Sequence, residues 1–365
     1  MVENQREHLK QMFYEFLIAG ESYTRIAEAR IQAEAVLGKT ILPGSPLTKL
    51  VDEAMEAAVV RAARLLIEQL ETTHQAYDQL VDLLERQPNL AVRSSTSVLQ
   101  QAYSTPIPIA YLASTLAGIN SETTVYEPTA GNGALLITAN PAKVIANEIN
   151  GDRVAELKTR DYYRLTQNDA TTYRPPEQVD RVICNPPFGS VLDENQRTKR
   201  FPLYDTWTTQ IDHVIALKAL KVMKNDGQAV LILGGKLGSD EERRSDRYNT
   251  REGRAFYYLL YNHYNVTQHF SIWGNLYRKQ GAGFPIDVIV VAGRGQSQQM
   301  LPAVEVPKIY RSFVELKEQL PNEPIHNIFL SNSREHSNHD SVRELSQNLD
   351  TFGDAVPIRG QSAAP

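Results

Sequence analysis

Short apolar runs, separated by polar or glycine-rich clusters, recur through the middle and later parts of the sequence. Each run is rich in Val, Ile and Leu and has a length typical of a buried strand. The predicted strands cover residues 124–127, 144–147, 179–184, 227–233, 266–273 and 286–291, with one more ending near Asp169. Stretches with helical spacing separate the runs, as at 107–118 and 208–223. This alternation predicts an α/β protein built on a mixed sheet of seven strands.

The first part of the chain has a helical pattern instead. Residues 1–37 are rich in Glu, Gln, Ala, Arg and Leu, and the pattern breaks at Gly38 and Pro43. Apolar residues then recur at helical spacing over 50–84. We therefore predict an N-terminal domain, residues 1–95, formed by an α-helical hairpin.

Composition divides the remainder into three parts. The length of 365 residues accommodates a main α/β domain, which we assign to residues 96–296. Residues 297–330 contain one extended piece and one short helix, and we expect them to pack on the sheet as a C-terminal extension. Residues 331–365 are rich in Ser, Asn, His and Arg with few apolar positions, which predicts a disordered tail.

The cysteine content, the length of the apolar runs and the net charge limit the compartment and the ligands that we expect for this protein. The single cysteine, Cys184, excludes an internal disulfide and suits a reducing compartment. The apolar runs are too short to span a bilayer, so we expect a cytoplasmic protein without a membrane anchor. A net charge of −5 argues against general nucleic-acid affinity, although local basic patches can still contact phosphates. No spacing of His, Cys or acidic residues predicts a metal site.

A glycine turn follows the first predicted strand. The strand ends at Glu127, and the small-residue turn 128–133 contains Gly131 and Gly133 before an apolar stretch with helical character. A strand, a glycine turn and a helix form the basic unit of nucleotide-binding α/β folds, because glycine lets the backbone approach a ligand closely. The turn alone is weak support for any particular cofactor.

Acidic residues end the next two strands. Glu148 follows the second strand about twenty residues after the glycine turn, the distance at which an acidic side chain accepts hydrogen bonds from ribose hydroxyls. Asp169 lies where the third strand should end. Since the carboxyl ends of parallel strands meet at one edge of a sheet, these side chains should gather around one ligand.

The fourth strand leads into Asn185-Pro186-Pro187-Phe188-Gly189 at the same edge. An exocyclic amine on a base is a poor nucleophile, and two hydrogen-bond acceptors stabilise the positive charge that grows as its nitrogen attacks a methyl group. The Asn185 amide oxygen and the main-chain carbonyl of Pro186 can supply these acceptors. The paired prolines fix the backbone, and Phe188 offers a flat face on which an extruded base can stack.

The order of these motifs resembles the S-adenosylmethionine-dependent amino-methyltransferases, specifically the DNA adenine-N6 methyltransferases. Upstream, Tyr103-Ser104-Thr105-Pro106 is similar to the aromatic-x-Thr-Pro element that precedes the glycine turn in one subgroup. The resemblance spans about residues 100–294 and implies a class I methyltransferase (Rossmann-like) catalytic domain. The resemblance distinguishes DNA from RNA substrates less clearly than it identifies the superfamily, because rRNA methyltransferases carry Asn-Pro-Pro-Phe or close variants.

The resemblance also implies roles for individual residues. Thr105 and the following helix would hold the methionine carboxylate of S-adenosylmethionine, and Glu127 would lie near its amino group. Glu148 would bind the ribose, while Ile149 and Asp169 would contact the adenine. The residues assigned to cofactor binding are Tyr103, Thr105, Pro106, Glu127, Thr129, Gly131, Gly133, Glu148, Ile149, Asp169 and Asn185. The residues assigned to catalysis are Asn185, Pro186, Pro187 and Phe188.

The expected partner is DNA containing a target adenine, with rRNA, a protein glutamine, or action only within a larger complex as alternatives. The N-terminal helices could cap the catalytic domain, recruit a protein or self-associate, or contact DNA. Little sequence is left for a target-recognition domain, so specificity could come from a partner subunit or a short target site. Three surface segments are predicted to approach nucleic acid: a lid over 190–207, with Phe201 or Tyr204 as a base clamp, the arginine-rich stretch 239–254, and the loop 275–284.

Overall fold

The computed structural model describes residues 2–90, 104–234, 244–281 and 283–325. The helices are α1 (Val2–Ile18), α2 (Ile26–Leu37), α3 (Pro46–Glu68), α4 (Thr73–Arg86), α5 (Ile107–Leu116), α6 (Gly151–Leu157), α7 (Ile211–Leu220), α8 (Asp246–Asn249), α9 (Arg251–His263) and α10 (Phe313–Lys317). The strands are β1 (Val125–Glu127), β2 (Val144–Asn147), β3 (Arg164–Thr166), β4 (Val179–Cys184), β5 (Phe201–Leu203), β6 (Thr206–Thr208), β7 (Met223–Gly234), β8 (Tyr264–Ile272), β9 (Ile286–Arg294) and β10 (Ile309–Tyr310).

Eight strands form the main sheet in the order β10-β8-β9-β7-β4-β1-β2-β3. Strands β3, β2, β1, β4 and β7 run parallel to one another, whereas β9 is antiparallel to both β7 and β8. The seven predicted strands are all present, and the mixed-sheet prediction is confirmed. The eighth strand, β10, is a two-residue addition at the edge and comes from the predicted C-terminal extension.

The carboxyl ends of β1, β2, β3 and β4 lie side by side because these strands are parallel neighbours. Their burial explains why short apolar runs predicted them: every residue of β1 and β2 is buried. A separate hairpin, β5–β6, lies in the segment predicted as a lid.

The N-terminal region forms four helices, so the prediction of a two-helix hairpin is wrong. The chain leaves α1 near Gly20, whose φ of 85° a helix cannot contain. A second break precedes α4, where the Thr72 side chain accepts a hydrogen bond from the Gln75 N–H and the Gln75 side chain reaches back to cap the same turn. Both signals are local and were readable from the sequence.

The N-terminal helices share one core with the sheet domain. Buried apolar residues of α1 and α3, among them Phe13 and Met55, belong to the same continuous core as Val125 of β1. The C-terminal segment also reaches the helices, since the Thr73 N–H donates to the Glu323 carbonyl at 2.9 Å. The domain boundaries at residues 95 and 296 stay predictions, and the proposed tail 331–365 lies outside the described residues. No helix within the described ranges is long and apolar enough to cross a membrane.

Candidate functional site

A cavity of about 430 Å³ opens at the carboxyl edge of the sheet. Its walls are the ends of β1 to β4, the segment before α5, part of the predicted lid, and one face of α3. Among the residues predicted to bind a cofactor, the lining includes Thr105, Glu127, Thr129, Gly131, Glu148, Ile149, Asp169 and Asn185. Pro187 is the other predicted residue in the lining. The structure therefore brings most of the predicted site together, whereas Tyr103 lies outside the described residues.

The glycine turn is held against the end of β2. Gly131 and Gly133 have φ values of 56° and 77°, in the left-handed region that favours glycine. The Gly131 N–H donates to Glu148 Oε2 at 2.8 Å. A Cβ at Gly133 would lie 2.9 Å from the Tyr162 hydroxyl oxygen, so a side chain there would also clash. The predicted helix after the turn is only a 3-10 turn, Ala134–Leu136, because the chain bends again before Pro141.

Glu148 is fixed by two backbone donors. Besides the Gly131 N–H, the Asn150 N–H donates to its Oε1 at 2.7 Å. A carboxylate oxygen can accept more than one hydrogen bond, so both oxygens retain capacity for ligand hydroxyls. Ile149, next to it, is 61% exposed on the rim of the cavity, an apolar surface of the kind that a ring could cover.

Glu127 is the most deeply buried acid in the cavity. It is 2% exposed, and its Oε2 has no hydrogen-bond partner among the described residues. Burial raises the pKa of Glu127 well above its usual range, and the nearby charge of Glu148 adds to this effect. A cationic group bound beside Glu127 would offset both the cost of burying its charge and the repulsion from Glu148.

Asp169 combines a turn role with a place in the cavity wall. Its Oδ1 accepts hydrogen bonds from the Thr171 N–H at 2.8 Å and the Thr171 hydroxyl at 2.7 Å, as in an Asx turn. Its Oδ2 lies 3.9 Å from Lys199 Nζ in the predicted lid. The turn therefore orients this carboxylate at the cavity wall.

Asn185 connects the fourth strand to the segment before α5. Its Nδ2 donates to Thr105 Oγ1 at 2.7 Å, and its main-chain carbonyl accepts from the Thr129 hydroxyl at 3.4 Å. The residue is 9% exposed. Pro106 is the N-cap residue of α5, and the helix has no side-chain cap. Thr105 instead serves as the acceptor for Asn185.

The aromatic residue of the motif does not face the cavity in this conformation. Phe188 is 1% exposed, and its ring lies 6.1 Å from that of Phe284. A Cβ built on Gly234 would lie 2.8 Å from the Phe188 ring, so this glycine makes room for it. Stacking of a base on Phe188 stays a prediction and would require the ring to rotate. Pro186 is buried beneath the same loop.

Cys184 directly precedes Asn185 and is fully buried in β4. Burial raises the pKa of its thiol, and the charges of Glu127 and Asp212 act in the same direction. A thiol held protonated in the core is a poor nucleophile, so Cys184 is a packing residue.

Several polar residues at the cavity escaped the sequence analysis. Glu53 and Glu56 of α3, Asn132 of the glycine turn and Arg153 of α6 form a hydrogen-bonded group along one wall. The two glutamates are three residues apart on the helix, a spacing that places them on one face. Nothing in the local pattern distinguished that face from a solvated one.

Two of the segments predicted to approach nucleic acid contain cationic residues that contact other parts of the protein. In the arginine-rich stretch, the Arg247 side chain is only 10% exposed and forms an ion pair with Asp287 at 3.0 Å. Arg251 and Arg254 lie on the first turn of α9. In the loop 275–284, Lys279 Nζ donates to the Leu84 and Glu85 carbonyls at 2.9 Å each, so it caps the end of α4.

Neither predicted base clamp in the lid faces the cavity. The Tyr204 ring stacks 6.2 Å from His263, which ends α9 at the opposite edge of the sheet, and Phe201 is buried in the hairpin. The clamp prediction is therefore wrong in this conformation, because Phe201 is buried in the hairpin and the Tyr204 ring stacks on His263 instead.

The strand order, with antiparallel β9 inserted between β7 and β8, defines the class I methyltransferase fold. The sequence matches no protein-family model and no curated protein. Among solved structures, the chain is similar to a protein assigned as the modification subunit of a type I restriction enzyme from Vibrio vulnificus YJ016. The TM-score is 0.46 at 14% identity, over 78% of this chain and 59% of that one. This chain therefore spans about three fifths of the Vibrio protein.

It is also similar to the type IIG restriction endonuclease BpuSI, with a TM-score of 0.44 and 17% identity over 96% of this chain and 43% of that one. A protein from Listeria monocytogenes assigned to the class I S-adenosylmethionine-dependent methyltransferases gives a TM-score of 0.42 and 11% identity, over 88% and 97% of the two chains. The fold class rests on the strand order, and function is argued below from the residues of this chain.

Proposed function

We propose that the protein transfers a methyl group from S-adenosylmethionine to the exocyclic N6 of an adenine extruded from DNA. One observation carries the proposal: Asn185 of the Asn-Pro-Pro-Phe motif lines the cavity that also contains Glu127 and Glu148. An amine-activating amide and a nucleoside-binding carboxylate thus border the same space.

The cavity walls fit this cofactor. The volume lies within the range of about 300–1,000 Å³ that is typical of small-molecule sites. Glu148 can accept from ribose hydroxyls while keeping its two backbone donors, and buried Glu127 would receive the charge of an ammonium group. When bound, S-adenosylmethionine supplies an electrophilic methyl group.

Asn185 is held in a single orientation by its neighbours. The donor end of its amide is used by Thr105, and an acceptor is what the chemistry requires of the other end. Hydrogen bonds from the attacking amine to Asn185 Oδ1 and to the Pro186 carbonyl would strengthen as positive charge grows on nitrogen. Because two prolines follow Asn185, the carbonyl direction is fixed before substrate binds.

Cationic residues beside the cavity support a nucleic-acid substrate. Lys199 lines the cavity, and Arg197 and Arg200 are exposed next to it in the segment before β5. Exposed cations at the mouth of a site attract phosphates without selecting a sequence. The choice of adenine in DNA comes from the motif resemblance and needs a direct test.

The test is transfer of labelled methyl from S-adenosylmethionine to unmethylated DNA and to total RNA, followed by nucleoside analysis. We expect N6-methyladenine in DNA, and an Asn185→Ala loss of about 10²- to 10³-fold in the rate of transfer, the cost of removing one preorganised polar group. Cys184→Ala is the matched control, because it changes the adjacent buried residue and should leave transfer intact.

The outcomes separate the alternatives. Label in RNA alone would replace DNA by RNA as the substrate. Label in neither nucleic acid, with cofactor binding intact, would favour a protein substrate or a missing partner subunit. Full transfer by Asn185→Ala would refute the role of the amide. Loss of transfer in Cys184→Ala with an intact fold would indicate that the Cys184 thiol takes part in the reaction.

A further inference from the structure

Helix α3 belongs to the N-terminal helices, yet one of its faces forms a wall of the cavity. Lys49, Glu53, Glu56 and Val60 all line it. Their spacing of four, three and four residues places them on one side of the helix. The cavity is therefore completed by a region that sequence patterns assigned to a separate helical domain.

Two carboxylates on this face bind the glycine turn. The Asn132 side-chain Nδ2 donates to Glu53 Oε2 at 2.9 Å and to Glu56 Oε2 at 2.8 Å. Asn132 lies between Gly131 and Gly133 and is 7% exposed. Since both flanking residues are glycines with positive φ, the turn has little intrinsic rigidity, and its position depends on such contacts.

The same carboxylates reach two more segments around the cavity. Arg153 of α6 donates from Nε to both oxygens of Glu53 at 3.1 Å, and its Nη2 lies 3.8 Å from Glu56. Ser104, just before Thr105, donates to Glu56 Oε2 at 2.6 Å. One turn of α3 thus ties together the glycine turn, the helix after β2 and the entrance to α5.

The pKa values of the two carboxyl groups shift in opposite directions. Burial acts to raise the pKa of Glu53, but the charge of Arg153 and the hydrogen bonds from Asn132 and Arg153 outweigh it and lower that pKa. Burial raises the pKa of Glu56, and the charge of Glu53 adds to it. The ionised form is therefore favoured at Glu53, opposite the Arg153 guanidinium, and disfavoured at Glu56.

We infer that Glu53 and Glu56 are positioning residues for the cofactor site, which hold the glycine turn in its binding conformation through Asn132. Helix α3 then controls cofactor affinity from outside the sheet domain. The identity of the cofactor rests on the proposed function, whereas the positioning itself rests on the contacts described above.

A neighbouring acid provides the matched control. Asp52, on the same turn of α3, lies 3.7 Å from Arg30 of α2 and is not part of the cavity lining. Burial raises its pKa to about 7. Asp52→Asn perturbs the packing between α2 and α3 without touching the glycine turn.

The first experiment measures S-adenosylmethionine affinity by calorimetry. We expect Glu53→Gln to weaken binding about tenfold, because it removes the charged partner of Arg153 and leaves one acceptor oxygen where two accept from Arg153 and Asn132. Glu56→Gln should weaken it less, about threefold, since glutamine keeps one oxygen that can accept from Ser104 and Asn132. Asp52→Asn should leave affinity unchanged. In turnover, Glu53→Gln should raise KM for the cofactor with kcat preserved.

A second measurement needs no cofactor. Amide hydrogen exchange over residues 130–133 should be faster in Glu53→Gln than in Asp52→Asn or the unmodified chain. Equal affinity losses in Glu53→Gln and Asp52→Asn, or unchanged exchange in the turn, would overturn the inference. If the unmodified protein binds no S-adenosylmethionine, the proposed function fails, and the exchange experiment still decides whether the glutamates position the turn.

Discussion

Glu127 and Asp287 are buried acids near the same edge of the same sheet, yet their surroundings differ completely. Glu127 ends β1. Asp287 is the second residue of β9 and pairs with Leu233, one residue before the end of β7. Both are almost inaccessible to solvent, at 2% and 0% exposure. A buried carboxylate is costly unless donors satisfy it, so the donor supply shows what each acid does.

Asp287 is saturated with donors. Ser271 donates to it at 2.8 Å, Tyr248 and Tyr257 each donate at 3.0 Å, and Arg247 forms an ion pair at 3.0 Å. Burial acts to raise the pKa of Asp287, but the charges of Arg247 and His269 and the hydrogen bonds from His269 and Ser271 hold it well below the usual range. These residues, with Asp287, form the Asp287 cluster.

Glu127 has no comparable set of donors. Its Oε2 has no partner among the described residues, and its only charged influence of note is repulsion from Glu148. The Asp287 cluster is closed and belongs to the fold, whereas Glu127 borders a cavity and carries a cost that a cationic ligand can offset. Burial alone would not have distinguished the two acids.

The largest expected effect comes from breaking the closed cluster. Asp287→Asn leaves the Arg247 guanidinium buried without its counter-charge, and removing one partner of a buried ion pair costs about 3–5 kcal/mol. We expect that loss in the free energy of unfolding, measured by urea denaturation. Asp226→Asn, at an exposed position of β7, is the control and should change little. A loss below about 1 kcal/mol would mean that the cluster contributes little to the fold.

The pH dependence of stability should sharpen the contrast. Because the folded-state pKa of Glu127 is raised, its stabilising contribution is full below the unfolded-state pKa of about 4.3 and is lost as the pH rises through the folded value. Glu127→Gln does not titrate. The free energy of unfolding of Glu127→Gln, relative to that of the unmodified chain, should therefore rise by up to about 1.4 kcal/mol per pH unit between about pH 5 and 7. Urea denaturation at both pH values measures this, and parallel pH profiles would contradict the assignment of a raised pKa.

The sequence was sufficient for the sheet and for most of the cavity. Strands β2 and β4 follow from short apolar runs, and parallel strand ends must meet, so Glu148 and Asn185 were predictably close. Arg247, in contrast, lies in a charged stretch that predicted a solvated or phosphate-binding face. Its burial depends on Asp287, forty residues later, and no local pattern encodes that pairing.

The contact between α3 and the glycine turn was hidden for the same reason. Glu53 and Asn132 are far apart in sequence, and charged residues on a helix usually face solvent. The division of the N-terminal region into four helices is different, because Gly20 and the Thr72–Gln75 capping box were visible signals that we weighted too little.

The smallest expected effect concerns ligand binding at Glu127. Under the proposed function, an ammonium group beside Glu127 favours the ionised form of the Glu127 carboxyl group. At a pH below the raised pKa of Glu127, binding must therefore release a proton. Affinity for S-adenosylmethionine should therefore rise with pH in the unmodified chain. Glu127→Gln should bind about tenfold more weakly near pH 8, a change of about 1.4 kcal/mol, with a flatter pH profile. Glu122→Gln, before the opposite end of β1, should match the unmodified chain. If Glu127→Gln kept both the affinity for S-adenosylmethionine and its rise with pH, Glu127 would have no role in binding the cofactor. The difference between Glu127 and Asp287 would then affect folding alone.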